Sequence, residues 1–149
     1  MAFRLTAPYI VATLDTMPSV VALLVALTDE AEQALGGARE LPLTEFPVKF
    51  GRAHRSQNVE NSSNDVYLFE REESTSLHIS GEHFEIEHSE NQFFLVDRRS
   101  SCGTIVGGAR IGGRRAGGRA PLRDGDEVVV GTRRSPFVFR FIVANGHTG

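Results

Sequence analysis

Short runs of alternating apolar and polar residues are the feature that most constrains the fold of this chain. In the clearest run, the apolar residues Phe84 and Ile86 alternate with glutamates, which is the period-two pattern of a half-buried β-strand. The chain has 15 glycines in 149 residues, and few of its segments repeat with a helical period. Many short strands joined by tight turns predict a β-sandwich or a β-barrel.

Pattern counting predicts about ten or eleven strands along the chain. Residues 89–91 are predicted as the turn of a hairpin, and the last strand buries an aromatic row, because Phe137, Phe139 and Phe141 share parity. Residues 28–35 are predicted either as one or two helical turns that end at Gly36-Gly37 or as a long hairpin loop. The predicted strands are residues 9–14, 20–27, 39–43, 46–50, 66–69, 84–87, 92–96, 104–106, 110–111, 127–130 and 137–143.

Composition and charge argue against several classes of protein. The formal net charge is −3, from 16 basic and 19 acidic residues, and this balance argues against a dedicated nucleic-acid binder. The longest apolar run, residues 20–27, is far shorter than the roughly 20 residues of a membrane helix, and it lacks the flanks of a secretory leader. The single cysteine, Cys102, excludes an intrachain disulfide and fits a reducing compartment. We therefore expect a cytoplasmic protein that does not cross a membrane.

Basic residues are concentrated in the last third of the sequence. Residues 98–149 carry ten arginines and three acidic residues, whereas residues 1–97 carry six basic and sixteen acidic ones. Residues 107–119 alone hold six glycines and four arginines, which are Arg110, Arg114, Arg115 and Arg119. This basic stretch is interpreted either as a solvated hairpin loop or as a segment that binds RNA or another anion.

Four fragments that adjoin predicted strands carry the functional signal. They read Phe-Gly-Arg at residues 50–52, Ile-Ser-Gly-Glu-His-Phe-Glu-Ile at 79–86, Val-Asp-Arg-Arg-Ser-Ser-Cys-Gly-Thr-Ile-Val-Gly-Gly at 96–108 and Leu-Arg-Asp-Gly-Asp-Glu-Val-Val-Val-Gly at 122–131. The first three place Arg52, Ser80 and Ser101 in loops. A guanidinium grips anion oxygens in pairs, and serine hydroxyls and loop N–H groups add donors. No acid–base pair or metal cluster accompanies them, so we expect a binding site without catalytic residues, a metal or a cofactor.

The order and spacing of these fragments resemble the forkhead-associated (FHA) domain. The family pattern is Gly-Arg, then Ser-x-x-His, then Ser-x-Asn-Gly-Thr-x-Val-Asn-Gly, then Leu-x-x-Gly-Asp-x-Ile-x-Ile-Gly. The resemblance covers about residues 20–143 and implies an all-β, eleven-stranded, antiparallel-rich β-sandwich (FHA/SMAD-like) with a phosphothreonine site on the loops at one end. Residues 1–19 are then an N-terminal extension, and residues 144–149 are a flexible tail.

The resemblance assigns five residues to the phosphopeptide. Arg52 pairs with the phosphate, Ser80 donates its hydroxyl to the phosphate, and Ser101 faces the phosphothreonine. Cys102 stands where the family has an asparagine that binds the peptide backbone, and Gly81 stands where a basic or polar residue is common. A thiol is a weak donor and acceptor, so this part of the site departs from the family pattern.

Three further residues are implied to support the site. Gly51 and Gly103 are the glycines of the first and third motifs. His83 braces the two loops through a buried hydrogen bond, and we expect neither a catalytic nor a metal-binding role for it.

Three functions follow from these observations. The first, implied by the resemblance, is a phosphothreonine-dependent protein–protein interaction module in Ser/Thr-kinase signalling, whose partner is a phosphothreonine-containing protein. The alternative, favoured by Cys102 and Gly81, is an FHA-like scaffold or assembly domain with weakened or lost phosphate dependence. The third is nucleic-acid binding by the basic stretch, against which the net charge argues. The sequence specifies no oligomeric state.

Overall fold

The computed structural model describes residues 20–53, 63–71 and 77–144, which form two packed β-sheets. Eleven strands in this part of the chain confirm the predicted all-β sandwich. The predicted extension at residues 1–19, with its strand at 9–14, lies outside the described residues, as do residues 145–149 of the predicted tail. None of the helices in the described ranges has the length and apolar character that crossing a membrane requires.

The strands follow the chain as β1 (Ala22–Ala26), β2 (Glu40–Leu43), β3 (Val48–Arg52), β4 (Val66–Leu68), β5 (Phe84–Ser89), β6 (Gln92–Asp97), β7 (Thr104–Val106), β8 (Ala109–Ile111), β9 (Gly118–Leu122), β10 (Glu127–Val130) and β11 (Val138–Val143). One sheet has the strand order β2-β1-β11-β10-β7-β8, and the other has the order β4-β3-β5-β6-β9. Strands β3 and β4 pair in parallel, whereas the other pairs are antiparallel.

Phenylalanines from both sheets fill the core. The rings of Phe50 on β3 and Phe84 on β5 stack with their centroids 4.4 Å apart. Phe93 on β6 meets Phe141 on β11 edge to face at 5.1 Å, and this contact joins the two sheets. The predicted aromatic row near the end of the chain is confirmed, because all three of its phenylalanines are buried. Aromatic side chains bury large apolar areas and so dominate the packing energy of a core of this size.

The segment after β1 forms a helix, α1 (Asp29–Ala34), and not the alternative hairpin loop. Thr28 caps its N-terminus, since Thr28 Oγ1 accepts a hydrogen bond from the N–H of Ala31 at 3.1 Å and donates to the carbonyl of Pro136 at 2.6 Å. Gly36 and Gly37 end it with φ angles of 78° and 97°. The helix therefore begins and ends where the cap residues predict.

The structure contains one strand, β9, that the sequence pattern does not predict. Its sequence, Gly-Arg-Ala-Pro-Leu, has no apolar–polar alternation and includes Pro121, which cannot donate to a sheet ladder. The strand forms at the edge of its sheet, where it pairs with β6 alone, and an edge position tolerates proline. Pairing with β6 therefore overrides a weak local preference for the strand conformation.

Two further differences from the prediction concern strands β3 and β1. Strand β3 extends through Arg52, so this residue, predicted in a loop, is the last residue of a strand. Its main-chain N–H donates to the carbonyl of Ser80 at 2.9 Å, which holds it in an extended conformation. Strand β1, predicted as fully buried, exposes part of Leu23 and Val25, because only one face of its sheet meets the core.

A buried carboxylate orders the connection between β6 and β7. Asp97 accepts hydrogen bonds from the main-chain N–H and the hydroxyl of Ser100, at 2.9 and 2.7 Å, and from the hydroxyl of Thr104 at 2.8 Å. Ser100 Oγ in turn accepts from the N–H of Gly103 at 2.9 Å. These four bonds close the turn that presents Ser101 to solvent.

A buried histidine joins this turn to the segment before β5. His83 accepts at Nδ1 from the N–H of Ser80 at 3.0 Å, and its Nε2 donates to the carbonyl of Gly103 at 2.8 Å. A main-chain N–H can only donate, so Nδ1 carries no proton and the ring is neutral. Burial lowers the pKa of His83 below the ordinary value of 6.5, and this effect exceeds the opposing effects of Gly103 and the Asp97 charge.

We expect Asp97→Asn to destabilise the fold by about 2–3 kcal/mol, because the new amide group brings a donor to a position where every partner is already a donor. Urea unfolding measures the loss. The control is Glu45→Gln, which neutralises an exposed carboxylate and is expected to change the free energy of unfolding by less than about 0.5 kcal/mol. Equal effects of the two substitutions would contradict the role assigned to Asp97.

Acid should destabilise the fold through His83. Below pH 6.5 the unfolded chain takes up a proton on this ring, whereas the folded chain, whose His83 pKa is lowered, resists it. The free energy of unfolding therefore falls as the pH falls from neutral, by at most about 1.4 kcal/mol per pH unit for one proton. Unfolding curves at several pH values measure the slope. His83→Asn, whose side chain does not titrate, should show a shallower slope, and an unchanged slope would rule out this histidine as its source.

Candidate functional site

In the second sheet, the register of the strands brings the loops with the predicted site residues to one end of the sheet. Phe50 pairs with Phe84, Phe84 with Asp97, and Asp97 with Gly118. Strands β3 and β6 therefore finish at the same end of the sheet at which β5 and β9 begin. The segments just beyond this row form an open pocket of about 590 Å³. Its lining residues are Arg52, Ser80, Gly81, Glu82, Arg98, Arg99, Ser101 and Arg115.

Arg52, predicted to pair with phosphate, enters the pocket from the end of β3. Its Nη1 donates to the carbonyl of Ile79 at 2.6 Å, and its main-chain N–H donates to Ser80. These bonds tie the arginine to the segment that carries the predicted serine. The guanidinium is therefore oriented before any ligand arrives, which limits the conformational entropy lost on binding.

Two serines meet on the wall of the pocket. Ser80 Oγ accepts a hydrogen bond from the main-chain N–H of Ser101 at 3.0 Å, which links the segment before β5 to the β6–β7 turn. Among the described residues, no acceptor takes the hydroxyl proton of Ser80, so this proton can be donated to an anion. Ser101 is exposed, and it lines the same pocket.

Gly51 and Gly81 allow two main-chain segments to pass in close contact. A Cβ atom on Gly51 would collide with the carbonyl oxygen of Gly81 and would lie 2.5 Å from the amide nitrogen of Asn64. That amide donates to the same carbonyl of Gly81 at 2.8 Å. The predicted supporting role of Gly51 therefore has a physical basis in this contact, while Gly81 lines the pocket through its main chain.

Cys102 is directed away from the pocket. Its Sγ lies 3.6 Å from the carbonyl oxygen of Leu77, and the residue is half-buried. Gly103, with a φ of 88°, also lies behind the pocket wall, where its carbonyl accepts from His83 and from the N–H of Gly131 at 2.9 Å. Of the five residues predicted to contact the peptide, Cys102 alone is not part of the pocket lining.

Arg98 is a pocket residue that was not among the predicted site residues, and its role is mainly structural. Its Nη1 donates to Asn64 Oδ1 at 2.6 Å, and its Nη2 donates to the carbonyl of Ser63 at 3.2 Å. It also pairs with Glu82 at 3.6 Å. Arg98 therefore holds residues 63–64 and Glu82 against the end of the sheet that carries the pocket.

Arg99 and Arg115 also line the pocket and, like Glu82 and Arg98, were not among the predicted site residues. Arg99 adjoins the serine motif, a signal available in the sequence. Arg115 belongs to the basic stretch, and the loop between β8 and β9, which lie in different sheets, carries it to the pocket. Two other arginines of that stretch have partners outside the pocket lining: Arg110 donates to the carbonyl of Cys102 at 3.3 Å, and Arg119 lies 3.8 Å from the ring centroid of Phe94.

The pocket is chemically suited to an anion. The described residues that line it include four arginines and two serines but only one acidic residue, Glu82. No cluster of three or more His, Cys, Asp or Glu side chains suited to a metal ion occurs in the part of the chain that the structure describes. The arrangement offers donors and positive charge, which can bind a phosphate without breaking any of its bonds.

Solved structures of the same fold come from several organisms. The FHA domain of an Arabidopsis thaliana hypothetical protein is 18% identical, with a TM-score of 0.61 and coverage of 88% of this chain and 92% of that one. The N-terminal FHA domain of S. cerevisiae Rad53p, in complex with a phosphothreonine peptide, is 17% identical, with a TM-score of 0.56 and coverage of 85% and 96%.

A larger protein is also similar. Mycobacterium tuberculosis EmbR, in complex with a low-affinity phosphopeptide, is 24% identical with a TM-score of 0.55. The match covers 88% of this chain but only 26% of EmbR, so the chain corresponds to about a quarter of that protein. No curated protein sequence matches the chain significantly. The sequence profile of the FHA domain matches residues 48–131, more than half of the 149 residues, and the chain therefore belongs to the FHA domain family.

Proposed function

We propose that this FHA domain binds a phosphothreonine in a partner protein and acts as an interaction module in Ser/Thr-kinase signalling. The observation that carries the proposal is the convergence of Arg52, Ser80 and Ser101 on one pocket, in which the Ser80 hydroxyl and the Ser101 N–H are already joined at 3.0 Å. The Rad53p domain and EmbR, which share this fold, were solved with a phosphothreonine peptide and a phosphopeptide, and this supports the assignment. A cytoplasmic location is part of the proposal.

The mechanism is electrostatic recognition by a rigid site. Phosphorylation gives a threonine nearly two negative charges and three strong acceptor oxygens. Arg52 pairs with the phosphate oxygens, Ser80 donates its hydroxyl proton, and Ser101 adds a donor from the adjacent turn. Because Asp97 and His83 already hold both loops, little ordering is needed when the peptide binds. The unphosphorylated threonine offers none of these acceptors and is excluded.

A phosphate-independent scaffold is the second candidate function. The observation that favours it is the orientation of Cys102, whose sulfur contacts Leu77 in place of an amide that could reach a peptide. Gly81 likewise presents only main chain to the pocket. On this alternative a partner protein would bind equally well before and after phosphatase treatment.

The first test is calorimetric titration with degenerate peptide pools centred on phosphothreonine, phosphoserine or unphosphorylated threonine. We expect binding to the phosphothreonine pool and weaker binding to the phosphoserine pool, by roughly fourfold, because one buried methyl group contributes about 0.8 kcal/mol. Arg52→Ala should weaken binding by at least about thirtyfold, since truncating one partner of a charge pair costs roughly 2 kcal/mol or more.

The matched control for this test is Arg140→Ala. Arg140 pairs with Glu127 at 3.1 Å on the other sheet, outside the pocket, and its loss removes the same charge. Circular dichroism establishes that both variants are folded. Equal binding of phosphorylated and plain peptides by the folded wild-type protein would contradict the proposal and favour the scaffold.

The unusual cysteine provides a second test. We expect Cys102→Asn to strengthen phosphothreonine-peptide binding by about three- to tenfold. The asparagine side chain is longer than that of cysteine and can turn from Leu77 to the peptide backbone, where a hydrogen bond contributes roughly 0.5–1.5 kcal/mol. The control is Cys102→Ser, which introduces a smaller polar side chain without the carbonyl and NH2 groups of an amide. If the asparagine variant binds no better than the serine variant, this position does not read the peptide backbone in this domain.

A further inference from the structure

We propose that Arg99 and Arg115 form a second anion subsite next to the phosphothreonine site. This subsite takes a second negatively charged group of the same peptide, either a phosphate or an acidic side chain close to the phosphothreonine. The inference rests on the proposed function and deepens it, because it defines which phosphopeptides the domain prefers.

The two arginines are held together by the main chain around them. Arg99 Nε donates to the carbonyl of Arg115 at 3.2 Å. The N–H groups of Arg114 and Arg115 donate to the carbonyls of Ser101 and Ser100, at 2.8 and 2.9 Å. The turn between β8 and β9 is thereby fastened to the turn that carries Ser101. Arg99 and Arg115 consequently have fixed positions relative to the proposed phosphate site.

The arginines that line the pocket differ in whether they form ion pairs within the protein. Arg98 is bound to Asn64 and Ser63, and it pairs with Glu82, the one carboxylate among the described residues that line the pocket. Arg99 and Arg115 are exposed, and neither forms an ion pair with a carboxylate among the described residues. Both line the pocket, and no carboxylate in the described part of the chain neutralises their charge. A ligand with one phosphate on Arg52 would leave this second pair of guanidinium groups available.

The main chain at these positions has a conformation that favours glycine. Arg99, Arg114 and Arg115 have φ angles of 64°, 53° and 62°, in the left-handed region that L-residues disfavour. Replacing any of them with glycine relieves this strain. Arg114 shares the conformation and the charge but does not line the pocket. It is therefore a matched control within the same turn.

The arrangement favours an acidic peptide over a nucleic acid. A nucleic-acid surface needs a run of basic groups that follows an extended backbone. Here Arg110 and Arg119 are engaged elsewhere, by Cys102 and by Phe94. Arg99 and Arg115 instead line the same pocket as Ser80 and Ser101, which fits two anionic groups on a short segment.

The test uses three peptide sets with a fixed central phosphothreonine. A second residue, scanned over a few positions on either side, is phosphoserine, glutamate or alanine in a neutral degenerate background. We expect wild-type protein to bind the best phosphoserine or glutamate set about tenfold more tightly than the alanine set. The phosphoserine and glutamate arms distinguish a second phosphate from an acidic side chain. Raising the salt concentration should reduce this preference.

The variants are Arg99→Gly, Arg115→Gly and the control Arg114→Gly, each measured by calorimetry. The first two should reduce the tenfold preference to about one, whereas Arg114→Gly should retain it. Thermal unfolding is expected to show that none of the three variants loses stability.

Several results would overturn the inference. Equal wild-type affinity for all three sets, or a preference that survives Arg99→Gly and Arg115→Gly, rejects the subsite and leaves the proposed function intact. Failure of wild-type protein to bind any phosphothreonine set rejects the proposed function itself. Tight, salt-sensitive binding of a single-stranded RNA oligomer that requires Arg115 but not Arg52 assigns these arginines to nucleic acid instead.

Discussion

The arrangement of the candidate site depends on the two hydrogen bonds that the neutral imidazole of His83 forms. It accepts from Ser80 and donates to Gly103, so one ring sets the spacing of two loops that lie far apart in the sequence. A protonated ring could not accept from Ser80, because both of its nitrogens would then be donors. Burial keeps the ring neutral, and the Ser80–Ser101 contact follows from this geometry.

Some charged groups near His83 stabilise the candidate site, whereas others are available to a ligand. Asp97 and Arg98 are committed to hydrogen bonds within the protein. Arg52 is oriented by Ile79 at the edge of the pocket. Arg99 and Arg115 are exposed and line the same pocket. This division gives a rigid frame with an excess of positive charge, which suits the proposed binding of a doubly charged phosphate.

Some elements could be predicted from sequence because their signals are local. The alternation around Phe84 defined β5, and the parity of the last phenylalanines identified a buried row. Thr28 marked the start of α1. Strand β9 carried no such signal, since it exists only through its pairing with β6, and the strand conformation of Arg52 depends on a bond to Ser80 that no neighbouring residue reveals.

The sequence by itself determined the fold class and the chemistry of the candidate site, because strand alternation and short motifs depend on residues close together in the chain. Only the tertiary structure decided which side chains share the pocket. The register from β3 through β5 and β6 to β9 brings Arg115 beside Arg99 and Ser101, and it leaves Cys102 facing Leu77. Register depends on packing between distant segments, and spacing along the chain does not specify it.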